Sequence, residues 1–303
     1  MFIPLNPNAY TPNTLNNGSP KQANKTVGNG FFTTPSRTAS GRLLRAVSPT
    51  FEDVWSQPRL FWNSLVPAEK QFVVDAMRFE TANVKSSIVR SNVIIQLNRI
   101  SNDLAKRVAE AIGVEVPEPD PTYYHDNTTA NIGAFGQRLL EIEGLKVGVL
   151  ASVSNQSSIA QGATLRSELT EVGVDVVVVA ERLVEGVNQT YSASAAINFD
   201  AVVVADGAES LFDFDSFTAS PKAKGATSLY PAGRPLEILA DAFRFGKPVG
   251  ALGNGVAALN DAQISADRDG VYLADAVDED FANHLKDGLA SFKFLDRFAL
   301  DEE

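Results

Sequence analysis

Residues 145–180 read LKVGVLASVSNQSSIAQGATLRSELTEVGVDVVVVA. Two apolar, β-rich runs, Lys146-Val147-Gly148-Val149-Leu150 and Val174 to Val179, enclose a segment, 157–172, that reads as a helix. Strands that are continuously apolar, rather than alternating, are buried on both faces, and strands joined by a helical crossover run parallel. The pattern then repeats. Ala201-Val202-Val203-Val204 is a third run, and Pro248-Val249-Gly250-Ala251-Leu252 a fourth. Between them, 233–245 is helical with Leu236, Leu239, Ala242 and Phe243 on one side. A last helix covers 277–291, with Phe281, Leu285 and Leu289 at a spacing of four. The expected fold is α/β, a doubly wound parallel sheet.

Working outward, a different organisation precedes this unit. Residues 1–63 are rich in Asn, Pro, Gly, Ser and Thr and show neither helical nor strand periodicity, which predicts loop. Yet they hold Phe31, Phe32, Leu43, Leu44, Phe51, Trp55, Leu60, Phe61 and Trp62. So many large apolar groups predict an extended arm that packs against something, since disordered tails lack them. A helix begins near Pro67, a residue suited to a first helical position, with Phe72, Val73, Ala76 and Phe79 as its apolar side. A second covers 86–98 with Ile88, Val89, Val93 and Ile94. Ser101 is the N-cap of a third, Leu104, Val108 and Ile112 share one face, and Gly113 ends it. Residues 115–132, with Pro117, Pro119 and Pro121, read as a linker.

Composition narrows the function. The net charge is −11, which argues against a nucleic-acid backbone as partner. The charge is uneven: residues 1–66 carry +4 and the rest −15. There is no apolar run of about 18 residues, so no membrane span is expected, and Met1-Phe2-Ile3-Pro4 does not open a signal pattern. The chain has no cysteine, which excludes disulfides, thiolate metal sites and a cysteine nucleophile.

The segment from the loop holding Trp55 and Trp62 to Asn98-Arg99-Ile100-Ser101-Asn102-Asp103-Leu104-Ala105 resembles the segment that follows the haem core in large-subunit catalases of fungal type. Pro12-Asn13-Thr14-Leu15-Asn16 and Gly28-Asn29-Gly30-Phe31-Phe32 resemble that family's wrapping segment, and 145–292 its C-terminal flavodoxin-like domain. The resemblance implies a wrapping arm at 1–66, a helical segment at 67–114, a linker at 115–143 and a flavodoxin-like domain at 144–303. It implies a parent enzyme that dismutates hydrogen peroxide on haem, as an assembly of core and neighbouring subunits. The haem core itself is missing from the match. His125 and His284 are the only histidines and sit in no core motif, so no catalytic residue is carried over, and haem and metal are expected to be absent from this chain.

Phe245-Gly246-Lys247-Pro248-Val249-Gly250-Ala251-Leu252-Gly253-Asn254-Gly255 resembles the strand-to-helix elbow of the DJ-1 and PfpI superfamily, which includes class I glutamine-amidotransferase-like domains. Gly253 stands at the cysteine position, Asn254 at the histidine and Gly255 at the glycine. The loop and helix at 151–164 carry no Asp or Glu, so the acidic partner is lost as well, and cysteine-type hydrolase or glyoxalase activity is not expected. Chaperones of that superfamily imply a second role, ATP-independent holding of unfolded client proteins. The competing class is a flavin- or phosphate-binding domain. Its candidates are Ser152, Ser154, Asn155 and Ser157, at the start of a helix where anions are attracted. Capping by Ser154 or Asn155 explains the same residues. Asp206-Gly207 is a possible backbone nest. Leu211 to Ala232, with Phe212, Phe214, Phe217 and Lys222, reads as a mobile lid, an interaction loop or a long loop with its aromatics packed beneath it. N-x-Ser/Thr acceptors occur at Asn17, Asn24, Asn127, Asn155 and Asn188.

Overall fold

The sheet domain follows from its valines. The computed structural model describes residues 36–38, 40–42, 45–213 and 229–301. Strands β1 (Lys146–Leu150), β2 (Asp175–Ala180), β3 (Gln189–Thr190), β4 (Ala201–Val204), β5 (Val249–Leu252) and β6 (Val271–Ala274) form one sheet in the order β3-β2-β1-β4-β5-β6. Every pairing is parallel, with Val149 beside Val178 on one flank and Val203 on the other. Successive residues of a strand face opposite sides. Val202 and Val204 therefore enter one core with Ile238, Leu239 and Ala242 of the helix Arg234–Arg244. Ala201 and Val203 enter the other, with Leu165 and Leu169 of Gln156–Leu169 and Phe281, Leu285 and Leu289 of Glu279–Ser291. Each of these helices lies where its spacing predicts. The short strands β3 and β6 and the helix Ala257–Asp261 are not legible as apolar runs, because β3 has two residues and β6 is only partly buried.

The helices are numbered α1 (Ser56–Ser64), α2 (Pro67–Ala82), α3 (Ser87–Ile100), α4 (Asn102–Ile112), α5 (Gln156–Leu169), α6 (Arg234–Arg244), α7 (Ala257–Asp261) and α8 (Glu279–Ser291). The first four form a helical unit with its own core of Trp62, Val74, Ile94, Leu97, Leu104, Val108 and Ile112. The start and end of α4 are as expected. The Ser101 hydroxyl accepts from Leu104 N, and Gly113 takes a left-handed φ of 65° that a side chain would resist.

Three expectations for this region are corrected. The stretch expected to be loop up to residue 63 contains α1, which buries Trp62 against Val74. Trp55 is likewise engaged: its ring meets Tyr123 edge-on at 4.9 Å, its Nε1 donates to Gln96, and the Arg99 guanidinium lies over it. Of the expected inward residues of α2, Phe72, Val73, Ala76 and Phe79, only Val73 packs against the core. The buried residues are Ala68, Glu69, Gln71, Val74 and Thr81, while Phe72, Ala76 and Phe79 are exposed. In α3, Ile94 is buried with Leu97 and Asn98, but Ile88 and Val89 are exposed. The physical reason is common to both helices. Each has apolar residues on two sides, and the buried side is partly polar because Glu69, Gln71 and Asn98 bond to the linker and the C-terminal segment.

The residues from 52 onward form one compact unit, and Met1–Phe51 form another by themselves. In the latter, Pro49–Glu52 begins a 3-10 turn in which Ser48 accepts from Thr50 N, and Val47 and Phe51 are exposed. Phe31, Phe32, Leu43 and Leu44 lie outside the described residues, as do Phe214, Phe217 and Lys222 of the later loop. Phe212, at the start of that loop, is fully buried.

Candidate functional site: the carboxyl edge of the sheet

In an open doubly wound sheet, ligands bind beyond the carboxyl ends of the strands where the strand order reverses. Here that point lies between β1 and β4. The loop after β1 carries Ser152, Ser154, Asn155 and Ser157, and the structure brings Glu181 to it from the end of β2. The Ser152 hydroxyl donates to Glu181 Oε1 and Val153 N donates to Oε2, both at 2.7 Å. Ser152 Oγ also lies 2.7 Å from Ser154 Oγ and accepts from Ser154 N. Asn155 is the N-cap of α5: its Oδ1 accepts from Ser157 N at 3.1 Å and from Ser157 Oγ at 2.8 Å. Two of the donors that a phosphate would use, the Ser152 hydroxyl and Val153 N, are thus turned onto a carboxylate of the chain itself, and those of Ser157 onto Asn155.

Ser152 and Glu181 have the geometry of a hydroxyl beside a base, but Ser152 is completely buried, so no substrate carbonyl reaches its oxygen. Behind it, the Tyr191 hydroxyl donates to Ala151 O at 2.9 Å. Burial raises the Tyr191 hydroxyl well above its ordinary value, and burial together with the Glu181 charge pushes Tyr230 up to about 12. Both phenols therefore stay protonated.

The elbow after β5 is closed by Asp206, from the end of β4. Asn254 N donates to Asp206 Oδ1 at 2.8 Å, and Asp206 N donates to Gln161 Oε1. Gly253 has a left-handed φ of 51°, and a Cβ there would lie 2.7 Å from Asp206 Oδ1. The structure thus brings Asp206, rather than a ligand, against Gly253 and Asn254. Gly207, expected as part of a nest, packs against the Asn155 side chain. Glu181 escaped the sequence reading because it is distant from the loop in sequence. The signal was an acid directly after the apolar run of β2, where a side chain reaches the neighbouring strand's loop.

The described His and Tyr side chains do not fit a haem. His125 Nε2 faces Ser56 O at 3.2 Å, and His284 is exposed and stacked on Tyr272. The Tyr124 hydroxyl donates to Asn98 O. Among the described residues there is no group of three or more His, Cys, Asp or Glu poised for a metal ion.

Two features of the helical unit stand out instead. Phe79 is 69% exposed and Ile88 72%, with Met77, Val89 and Ile95 also exposed on α2 and α3. Met77 and Phe79 stand two residues apart and so face different sides of α2, while Ile88 and Ile95 share one side of α3. The second feature is a strap after α8. Phe298 stacks on Phe135 and meets Phe72 edge-on at 5.0 Å. Asp301 then receives Arg78 through two bonds of 2.8 Å, Arg107 Nε at 2.8 Å and Gln71 Nε2 at 3.1 Å. These donors, Arg78 foremost, hold the Asp301 carboxyl far below the usual range against a smaller opposing effect of burial. A cleft of about 680 Å³ lies beside this clasp, lined by Lys70, Lys106, Arg107, Asp103 and Glu110. Its mixed charges include Arg107, already committed to Asp301.

Comparison with known proteins agrees with this architecture. Residues 143–299 match the family model described as the C-terminal domain found in long catalases, and 48–112 match one described as catalase-related immune-responsive. Catalase B of Aspergillus fumigatus is 68% identical over 99% of this chain, and Catalase-3 of Neurospora crassa 51% over 99%. Catalase HPII of Pseudomonas aeruginosa is 29% identical over 89% of it. The match takes in 42%, 40% and 37% of those relatives respectively, so the chain spans about two fifths of their length. With its α/β domain matched nearly end to end, the chain belongs to the family of long, large-subunit catalases and corresponds to their C-terminal part.

Proposed function

We propose that this chain is the structural C-terminal part of a long catalase and performs no peroxide chemistry by itself. The haem core and neighbouring subunits are its partners, and haem in that core supplies the redox chemistry. The observation that carries this reading is the set of exposed apolar side chains on the helical unit, Phe79 of α2 and Ile88 and Ile95 of α3 foremost. Burying apolar surface is worth about 25 cal/mol per Å², so such side chains favour docking onto a core. The segment that precedes α1 and the linker at 115–143 belong to the same reading, as segments that join the sheet domain to that core.

The same side chains also support ATP-independent capture of unfolded clients by the isolated chain. The orphaned arm is a weaker support than the sequence suggests, because Trp55 and Trp62 already have partners. The reading as a flavin- or phosphate-binding domain has less in its favour, since Glu181 occupies two of the donors of the loop after β1. Heat-induced aggregation of a client enzyme, followed by light scattering, tests the holding role. The chain should suppress scattering at equimolar ratio, and a Phe79→Glu/Ile88→Glu variant should not. Equal suppression by both would remove these side chains from the account. Incubation with haem followed by oxygen release from peroxide should give no turnover; sustained turnover would overturn the inert reading.

A further inference from the structure

At the amino edge of the sheet, opposite the candidate site, the strap after α8 brings two lysines together. Lys247 precedes β5 and is buried, and its Nζ donates to Ala196 O at 2.7 Å and Phe199 O at 2.5 Å. Asp200 precedes β4, and its Oδ2 accepts from Lys146 N at 2.8 Å. Lys293 meets these two from a tight turn. Phe292, which closes α8, has φ 64° and ψ −50°, and Lys293 N donates to Ser291 O at 2.7 Å. A bulky residue adopts such a γ-turn only where its surroundings impose it. Two bonds impose it here: Phe294 N donates to Gly246 O at 2.8 Å, and Arg297 Nη1 to Lys247 O at 2.7 Å. The strap is thus laced to the turn that carries Lys247, and Lys293 is held beside it.

The two amines differ. Two carbonyl acceptors occupy Lys247 Nζ and favour its charged form. Lys293 Nζ has no hydrogen bond or ion pair among the described residues. It lies 5.0 Å from the centre of the Phe292 ring, a contact that favours charge only weakly where water still reaches it. Lys247 and Asp200 are the charged groups that face it. Burial first, and then the Lys247 charge, push the Lys293 amine down to about 8, with Asp200 opposing them. Near neutral pH an appreciable fraction is therefore free amine. The side chain is only half-buried, so a small molecule reaches it. A lysine desolvated beside a second cation is an activated nucleophile.

We propose that Lys293 is a covalent acceptor for small uncharged aldehydes, held as a Schiff base, and that Lys247 and Asp200 set its reactivity. The Phe292 ring and the opposed charges of Lys247 and Asp200 suit an electrophile without charge of its own. The Nζ lone pair bonds to the carbonyl carbon. The carbonyl oxygen then leaves as water with the two amine protons, and a C=N bond remains. The step consumes no oxidant or reductant and reverses in water.

The test treats the full chain with propanal and cyanoborohydride, which delivers hydride to the C=N carbon and fixes the adduct. Peptide mass measurement at low conversion reads the rate at each lysine. Near neutral pH, Lys293 should react at least about tenfold faster than the exposed Lys85, Lys106 and Lys146. That excess should shrink towards about pH 10, where amines in open water lose their protons too. Lys293→Arg should remove the fast adduct. Asp200→Asn keeps an oxygen for Lys146 N and should raise the Lys293 rate several-fold. Lys247→Met should lower it several-fold, read on protein that thermal unfolding shows to be folded. Equal rates at Lys293 and the exposed lysines of the folded wild-type chain, or a Lys293 rate that Asp200→Asn leaves unmoved, overturns the proposal.

Discussion

The sheet domain and the helical unit use the same apolar residue types and end differently. In the sheet domain, the strand valines and the facing residues of α5, α6 and α8 disappear into two cores, one on each face of the sheet. In the helical unit, one core of similar chemistry coexists with exposed apolar side chains on α2 and α3, among them Phe79, Ile88 and Ile95. A sheet covered on both faces needs no further partner. The helical unit leaves Phe79 and Ile88 uncovered, and on the proposed reading these are positions that a partner covers.

The comparison breaks first at the sheet core. Leu285→Ala should cost about 2–5 kcal/mol, because it opens a cavity beneath a fully buried helix face. Chemical denaturation reads this as a lower midpoint at unchanged slope. A cost below about 1 kcal/mol would mean that core is loosely packed.

A smaller loss is expected where the two regions are fastened. Glu69 accepts from Ala134 N and Phe135 N, and a Cβ on Gly133 would lie 2.1 Å from Glu69 Oε2. Gly133→Ala should displace that carboxylate and cost about 1–3 kcal/mol for the unsatisfied amides. Thermal unfolding and proteolysis at 133–143 both report it.

The strap gives a pH signature. Asp301→Asn should cost roughly 1–2 kcal/mol, as for a charge-assisted cluster near the surface. The folded-state carboxyl is depressed below its ordinary 3.8. Its contribution is therefore complete above that range and is lost as the pH falls through the depressed value. The wild-type chain should lose stability below about pH 4 more steeply than Asp301→Asn, and the two should converge in strong acid. Parallel curves would remove Asp301 from the fastening.

The smallest effect belongs to the uncovered side chains. Phe79→Ala in this chain should change stability by no more than about 0.5 kcal/mol, since exposed positions contribute little. A loss comparable with Leu285→Ala would show that Phe79 is covered and the contrast is false.

The strands and main helices of the sheet domain were legible because continuous valine runs and a spacing of four admit one arrangement. The helical unit was legible in its last three helices but not in α1 or in its orientation. Phe72 and Phe79 look like core residues by type, and only the bonds of Glu69, Gln71 and Asn98 decide that the opposite side turns inward. The loop after β1 was legible as a helix start. Its partner Glu181 was not, because β2 brings it there through the register of the sheet. Likewise, Gly253 could be read as a missing nucleophile, but the Asp206 carboxylate beside it is a fact of tertiary structure.

The most direct measurement of the central claim is association with the part of a long catalase that this chain does not span. Co-expression with that remaining part of the Aspergillus fumigatus relative, followed by affinity capture and mass measurement, should give a stable complex with the wild-type chain. Phe79→Glu/Ile88→Glu should lose most of it while keeping the thermal midpoint of the free chain. A complex that forms equally well with both, or with neither, would contradict the assignment of Phe79 and Ile88 to the docking surface.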